Sequence, residues 1–510
     1  MKFIDVDKSS IKAVIIKDHK RDFPLSGNAK EVIDSSSLIK GQDDLDLTSE
    51  NEKELFLDKL IDLSKGTDYL CVFYFDSPFY CIEDCETLID STIGYDNDYG
   101  FGDNYPNGTL CEVVRSEVLP VFRNLYNEKK VADDLEKGDI RGVLHKIISI
   151  DYNTFDLENQ FSQPSLRTYR LSFFQQNYQN IQIVKRLADE MEKKSRDKKK
   201  IDFSELAAIV EGERHLWQTD PAYVSLEISQ DSFIESKFSP RKKFLETYDV
   251  EMMPLEKAKI YISKLKALGS ISHVNLNGIG EPLIHPNVSD IINEIEKELS
   301  ATVVVETSLV GVSTETLNEI LKSHPSLMLI VTLDASSIEK YKGLKTFIKD
   351  IPSGCVSEDS LFRYIDELLI ADSARKKSER RIYVQLIKTI ETFSDIQAFS
   401  RKYKEVTNNI IIQKYNTYGG LLPEQREDPA KPLHHIDCWH LKRDIFISAM
   451  GDVYSCQQDV FHKNSFGNLN HVDMTSVLEK RQEFFKEYLS DSGVPAVFCK
   501  DCDENYTYNF

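Results

Sequence analysis

The chain has 510 residues, too many for one hydrophobic core, and predicts about three domains of roughly 150–200 residues each. Hydrophobic residues make up 41% and charged residues 29%, and no run of about 18 apolar residues marks a membrane span. The formal net charge of −21 is spread along the chain, which argues against nucleic acid as a partner.

The N-terminal stretch MKFIDVDKSSIKAVIIKDHK interrupts its apolar residues with charges and lacks the apolar core of a signal peptide, so a cytoplasmic protein is expected. Nine cysteines in such a chain point to thiols or metal ligands rather than a disulfide framework. Cys71, Cys81, Cys85 and Cys111 lie early, Cys355 stands alone, and Cys438, Cys456, Cys499 and Cys502 gather at the end.

In the first domain, residues 1–187, strands are expected at 11–18 and 68–75 and helices at 53–63 and 116–126. The alternation predicts an α/β domain with a mainly parallel sheet. Three pieces follow in order: Phe75-Asp76-Ser77-Pro78, then Tyr105-Pro106-Asn107-Gly108 leading to Glu112-Val113, then Arg170-Leu171-Ser172-Phe173. Together they resemble the cytidylyltransferase type of nucleotidyltransferase, which activates sugars. The departures are large. Where that family has a Gly-rich phosphate loop, this chain has HKRDFPLSG (19–27), and the late metal-binding Asp of the family falls on Phe174. One retained carboxylate, Asp76, is a poor site for Mg²⁺. The resemblance therefore implies a degenerate nucleotidyltransferase-like fold, with Asp76 and Glu112 as loop or surface carboxylates; a working sugar-nucleotide transferase is the alternative. Cys81 and Cys85 form C-x-x-x-C, but Leu88 stands at the third position, so buried or idle thiols are expected.

Residues 188–219 are charge-dense and helix-favouring, and read as a helical linker. Beyond them, strands are expected at 223–228, 273–277, 302–306, 328–333, 382–388 and 409–415. Amphipathic helices are expected at 255–268, 288–299, 314–321, 361–369 and 395–403. Six βα units over 220–420 predict a partial (β/α)6 barrel with its chemistry at the C-terminal ends of the strands.

Serines stand at 232, 236 and 239 after the first of these strands, in the frame S-x-x-x-S-x-x-S. Asn277-Gly278-Ile279-Gly280-Glu281-Pro282-Leu283 follows the second strand, with Glu306-Thr307-Ser308 and Thr332-Leu333-Asp334 after later ones. This order resembles the radical S-adenosylmethionine (radical SAM) enzymes. Those enzymes carry C-x-x-x-C-x-x-C at the serine positions, and three thiolates hold a [4Fe–4S] cluster whose fourth iron takes SAM. The resemblance implies a SAM-like pocket at Gly278, Gly280, Glu281, Pro282, Glu306, Ser308 and Asp334. A hydroxyl is a hard ligand that stays protonated, so Ser232, Ser236 and Ser239 are expected to hold no cluster. SAM bound there would not be cleaved. The alternative is a radical SAM enzyme acting on a peptide or protein, its cluster cysteines replaced by serine in this version.

The tail, 421–510, carries Cys438, then twelve residues, Gly451, four residues and Cys456, then a helix expected at 476–488 and Cys499-x-x-Cys502. This resembles the SPASM and twitch modules of peptide-modifying radical SAM enzymes. Four thiolates account for one auxiliary [4Fe–4S] cluster on Cys438, Cys456, Cys499 and Cys502, with structural Zn²⁺ as the alternative. His434, His435 and His440 are expected at the surface or in packing. The three-part order resembles the spiro-SPASM proteins, which implies a cytoplasmic iron–sulfur protein that serves as a binding scaffold or handles electrons. A peptide or protein is its implied partner.

Overall fold

The structure is a computed structural model that describes residues 10–18, 23, 25, 27–47, 49, 53, 55–128, 140–194, 201–428, 437–490 and 497–506. The chain divides into two compact units, Met1–Leu216 and Trp217–Phe510. Among the described residues no helix is long and apolar enough to cross a membrane.

The N-terminal unit is built on six strands: β1 (Ile11–Lys17), β2 (Gly41–Asp46), β3 (Tyr69–Tyr74), β4 (Tyr99–Asp103), β5 (Glu112–Arg115) and β6 (Leu157–Phe161). Their order is β2-β1-β3-β5-β4-β6. The pairs β1–β2, β1–β3 and β4–β6 are parallel. Strand β5 runs antiparallel to both neighbours, so the sheet is mixed at its centre. Helices cover both faces, and Val14, Ile16 and Val72 pack into one core while Ala13, Ile15 and Phe73 pack into another. That two-sided burial is why β1 and β3 read as unbroken apolar runs.

The segment expected as a linker, 188–219, folds largely with this unit. Helix Tyr178–Lys194 buries Ile183, Val184 and Leu187, and helix Phe203–Gly212 is N-capped by Asp202, whose side chain accepts from the Ser204 N–H. The lysine run 195–200 lies outside the described residues.

The C-terminal unit contains six parallel strands, β7 (Tyr223–Leu226), β9 (His273–Leu276), β10 (Thr302–Thr307), β11 (Met328–Thr332), β13 (Ile382–Lys388) and β14 (Ile410–Lys414). A short two-stranded pair, β8 (Ile234–Ser236) and β12 (Lys345–Phe347), is antiparallel. Helices Leu255–Lys266, Val288–Leu299, Thr314–Ser323, Leu361–Ser373 and Ile396–Lys404 connect the barrel strands, close to their expected places. Val224, Leu226, Val274, Leu276, Val305, Leu329, Val331 and Val384 are buried in the main core. The alternate residues Ser225, Asn275, Glu306, Ile330 and Gln385 face an interior cavity, as a strand period of two requires.

The tail is not a separate layer. Strand β15 (Asp444–Ile447) pairs in parallel with β7, and β16 (Asp452–Tyr454) and β17 (Gly467–Asn468) continue antiparallel from it. The barrel strands and the tail strands form one nine-stranded sheet. Helix Met474–Leu489 then leads to a short helix, Val497–Asp501.

Candidate functional site

The serine loop leaves β7 at its C-terminal end, where the Glu227 N–H donates to the Ile447 carbonyl at 2.9 Å. Each serine hydroxyl accepts from the backbone N–H two residues further on. Ile234 donates to Ser232 Oγ, Phe238 to Ser236 Oγ and Arg241 to Ser239 Oγ, all at 3.2 Å. This is the turn chemistry that serine supplies locally. Ser232 Oγ donates in turn to the Ile234 carbonyl at 2.9 Å.

A lysine completes the loop. Lys345 Nζ donates to Ser236 Oγ at 2.9 Å and forms an ion pair with Asp334. The two side chains are 4% and 0% exposed. Asp334 Oδ1 also accepts the Ile387 N–H at 2.8 Å. The loop is thus closed by its own hydroxyls and a buried ammonium.

The glycine segment sits against this loop because glycines permit it. A Cβ on Gly278 (φ +145°) would come within 2.5 Å of Glu227 Oε1, and one on Gly280 within 2.4 Å of the Ser229 carbonyl oxygen. Glu281 accepts from the Thr307 hydroxyl (2.7 Å), the Ser308 N–H (2.8 Å) and hydroxyl (2.7 Å), and the Leu283 N–H (3.2 Å). Burial pushes its carboxyl above the ordinary value against the pull of these donors. Ser232, Ser236, Ser239, Gly278, Gly280, Glu281, Glu306 and Ser308 line one cavity of about 150 Å³. Pro282 and Asp334 are not part of that wall: Pro282 begins a short helical turn that Glu281 caps, and Asp334 serves Lys345.

Asn277 and Glu306 also border a larger cavity of about 400 Å³ in the barrel interior. Glu306 accepts from Asn275 Nδ2 at 2.5 Å and Asn277 Nδ2 at 3.4 Å, and burial pushes its carboxyl up. Gln385, Gln413 and Cys456 share this wall.

Cys438, Cys456, Cys499 and Cys502 are half-buried free thiols. Burial pushes each one up, Cys502 to about 12. For Cys456 the next causes are the charges of Cys499, Cys438 and Cys502, which places the four thiols in one another's field. The Cys502 N–H donates to the Cys499 carbonyl at 3.3 Å, and the Glu504 N–H donates to Cys502 Sγ at 3.4 Å. Among the described residues, no group of three or more His, Cys, Asp or Glu side chains is placed to hold a metal ion as it stands. His440 is not at the surface: its Nδ1 pairs with Asp444 at 2.6 Å in a buried setting. His434 and His435 lie outside the described residues.

In the N-terminal unit, Asp76 is no surface carboxylate. It is buried and ion-paired with Arg141 at 2.7 Å, and Arg141 also pairs with Asp18 at 2.5 Å. The guanidinium lies 5.1 Å from the ring centroids of both Tyr74 and Phe174. Glu112 is likewise turned inward, onto a cavity wall. Cys81 and Cys85 are buried in the core.

Glu227, Lys345 and Arg141, which contact Gly278, Ser236 and Asp76, are the residues beside the candidate positions that motif spacing missed. Glu227 follows β7 directly and could have been suspected as a carboxylate at a strand end. Lys345 and Arg141 carry no local signal.

Residues 438–503 match the family model of SPASM, an iron–sulfur cluster-binding domain. An uncharacterised protein of Treponema pallidum (strain Nichols) is 26% identical over 370 residues, spanning 71% of this chain and 97% of that protein. Among solved structures, BtrN in complex with AdoMet and 2-DOIA is 14% identical, with a TM-score of 0.38 over 57% of this chain and 99% of BtrN. A cytidylyltransferase from Leptospira borgpetersenii serovar Hardjo-bovis (strain JB197) is 10% identical, with a TM-score of 0.30 over 41% of this chain and 96% of its own. Residues 438–503 of the chain are thus similar to the SPASM iron–sulfur cluster-binding domain.

Proposed function

We propose that this protein binds one auxiliary [4Fe–4S] cluster through Cys438, Cys456, Cys499 and Cys502, and acts as an electron-handling binding scaffold without radical SAM chemistry. The observation that carries this reading is the contrast between two loops. Ser232, Ser236 and Ser239 spend their hydroxyls on their own backbone, and Lys345 reaches Ser236. The four tail cysteines are free thiols acting on one another. Thiolates are the ligands that iron–sulfur clusters use; neutral hydroxyls are not.

A single Zn²⁺ would need its four sulfurs about 3.8 Å apart, from Zn–S bonds of about 2.3 Å. Four thiolates also suffice to hold a [4Fe–4S] cluster, and the SPASM match of residues 438–503 favours that reading. Once bound, the cluster supplies one-electron transfer. SAM bound at Gly278–Leu283 would stay intact, because no thiolate-held iron faces it. The amide side chains Asn275, Asn277, Gln385 and Gln413 around the barrel interior suit the backbone of a peptide or protein partner. The N-terminal unit keeps a nucleotidyltransferase-like fold without transfer chemistry, a reading supported by the pairing of its one retained carboxylate, Asp76, with Arg141. The order of the parts supports placement among the spiro-SPASM proteins, and the free thiols suit the reducing cytoplasm.

The test is iron and acid-labile sulfide per chain after anaerobic reconstitution. About four irons are expected. About eight irons, or release of deoxyadenosine from SAM under strong reductant, would overturn the reading.

A further inference from the structure

A cavity of about 780 Å³ in the N-terminal unit takes no part in the function proposed above. Its size is that of a small-molecule site. The walls are aromatic: Tyr74, Tyr99, Phe101, Tyr152 and Phe174 all contribute. Tyr99 and Phe101 are stacked at 5.6 Å, Phe101 lies 4.7 Å from the His145 ring, and His145 lies 6.3 Å from Tyr152.

Among these rings stands Glu112. Its carboxylate accepts from the Tyr99 hydroxyl at 2.6 Å and the Tyr74 hydroxyl at 3.3 Å, and among the described residues no cation is paired with it. Two further acceptors on the same wall, His145 Nδ1 and Asn159 Oδ1, are buried without a hydrogen-bond partner. Burial pushes His145 down, so its ring is neutral near pH 7. Arg141, a buried guanidinium at the cavity, is shared between Asp18 and Asp76. Arg167 is on the rim, 69% exposed.

The described charged residues that line the cavity are Asp103, Glu112, Arg141 and Arg167, so no excess of positive charge marks it as a phosphate site. It offers ring faces, a carboxylate without a cation, and acceptors awaiting donors. We propose that it binds an organic ammonium ion, with the charged nitrogen held between the Tyr99–Phe101–Tyr152 rings and Glu112. The ring quadrupoles and the carboxylate attract the same charge.

The test is calorimetric titration of the full-length protein with choline and with the neutral alcohol in which carbon replaces the choline nitrogen. Choline is expected to bind at least about tenfold more tightly than its neutral analogue, and Glu112→Gln to weaken choline by about tenfold or more. Tyr152→Leu, at a half-exposed position that leaves the core intact, should weaken it by a smaller factor. Circular dichroism of each variant should match the parent. Equal binding of the neutral analogue, undiminished choline binding by both variants, or binding of CTP–Mg²⁺ in place of choline would overturn the proposal.

Discussion

Replacing Lys345 by Met tests whether the serine loop is built around an ammonium. Lys345 Nζ touches Ser236 Oγ at 2.9 Å and pairs with Asp334, and neither side chain is more than 4% exposed. Lys345→Met would leave the Asp334 carboxylate buried with the Ile387 N–H as its remaining donor. Removing one partner of a buried pair costs about 3–5 kcal/mol. Spread over the C-terminal unit, Trp217–Phe510, that lowers Tm by about 5–8 °C. Both tryptophans, Trp217 and Trp439, lie in that unit, so their fluorescence follows its unfolding in guanidinium. Asp334 has φ +61°, a conformation that Asn tolerates, so Lys345→Met with Asp334→Asn is the matched double variant. It should recover at least about 2 kcal/mol, since no uncompensated charge remains. A loss below about 1 kcal/mol for the single variant, or strict additivity in the double, would refute the reasoning.

Three further outcomes follow from the same geometry. Gly280→Ala would push a Cβ to within 2.4 Å of the Ser229 carbonyl oxygen, a backbone atom with little freedom to move. It should cost about 1–3 kcal/mol by the same fluorescence transition, and an unchanged midpoint would contradict the contact. Glu306 has its carboxyl raised by burial above the ordinary 4.5. The folded chain therefore holds that proton more tightly than the unfolded one, and the benefit is present below pH 4.5 and lost as pH rises through the folded value. Glu306→Gln should gain stability relative to the parent between pH 4 and pH 8, and a pH-independent difference would sink the assignment. Arg141→Met would leave Asp18 and Asp76 buried beside each other and should destabilise the N-terminal unit by about 3–5 kcal/mol. Amide hydrogen exchange should rise in β1 and β3 while the tryptophan transition stays put; exchange at the parental rate would contradict the pairing.

The parts of the fold that announced themselves did so through burial. Strand β3, buried at all six positions, is a solid apolar run, and the barrel strands alternate because one face packs on helices and the other lines a cavity. Strand β2 is GQDDLD with only Leu45 buried, and β6 is LENQF at the opposite edge. Edge pairing, not side-chain pattern, orders them, so their residues gave no warning. The same split holds at the site. Motif spacing singled out the serines and the glycine segment, each within one short stretch, and the four tail cysteines, which fall at motif spacings between 438 and 502. Lys345 is 109 residues from Ser236 and arrives only because β12 pairs with β8. Likewise Asp76 was visible and its partner Arg141 was not. Strand β15 joins β7 across more than 200 residues, a pairing that no local signal encodes.

In the proposed function, iron is held at the C-terminal thiols and not at the serine loop. Iron content after anaerobic reconstitution should be measured in two variants side by side: Cys499→Ala with Cys502→Ala, and Ser232→Ala with Ser236→Ala and Ser239→Ala. The cysteine variant should lose its iron while the serine variant keeps about four per chain. Iron retained by the first and lost by the second would contradict it.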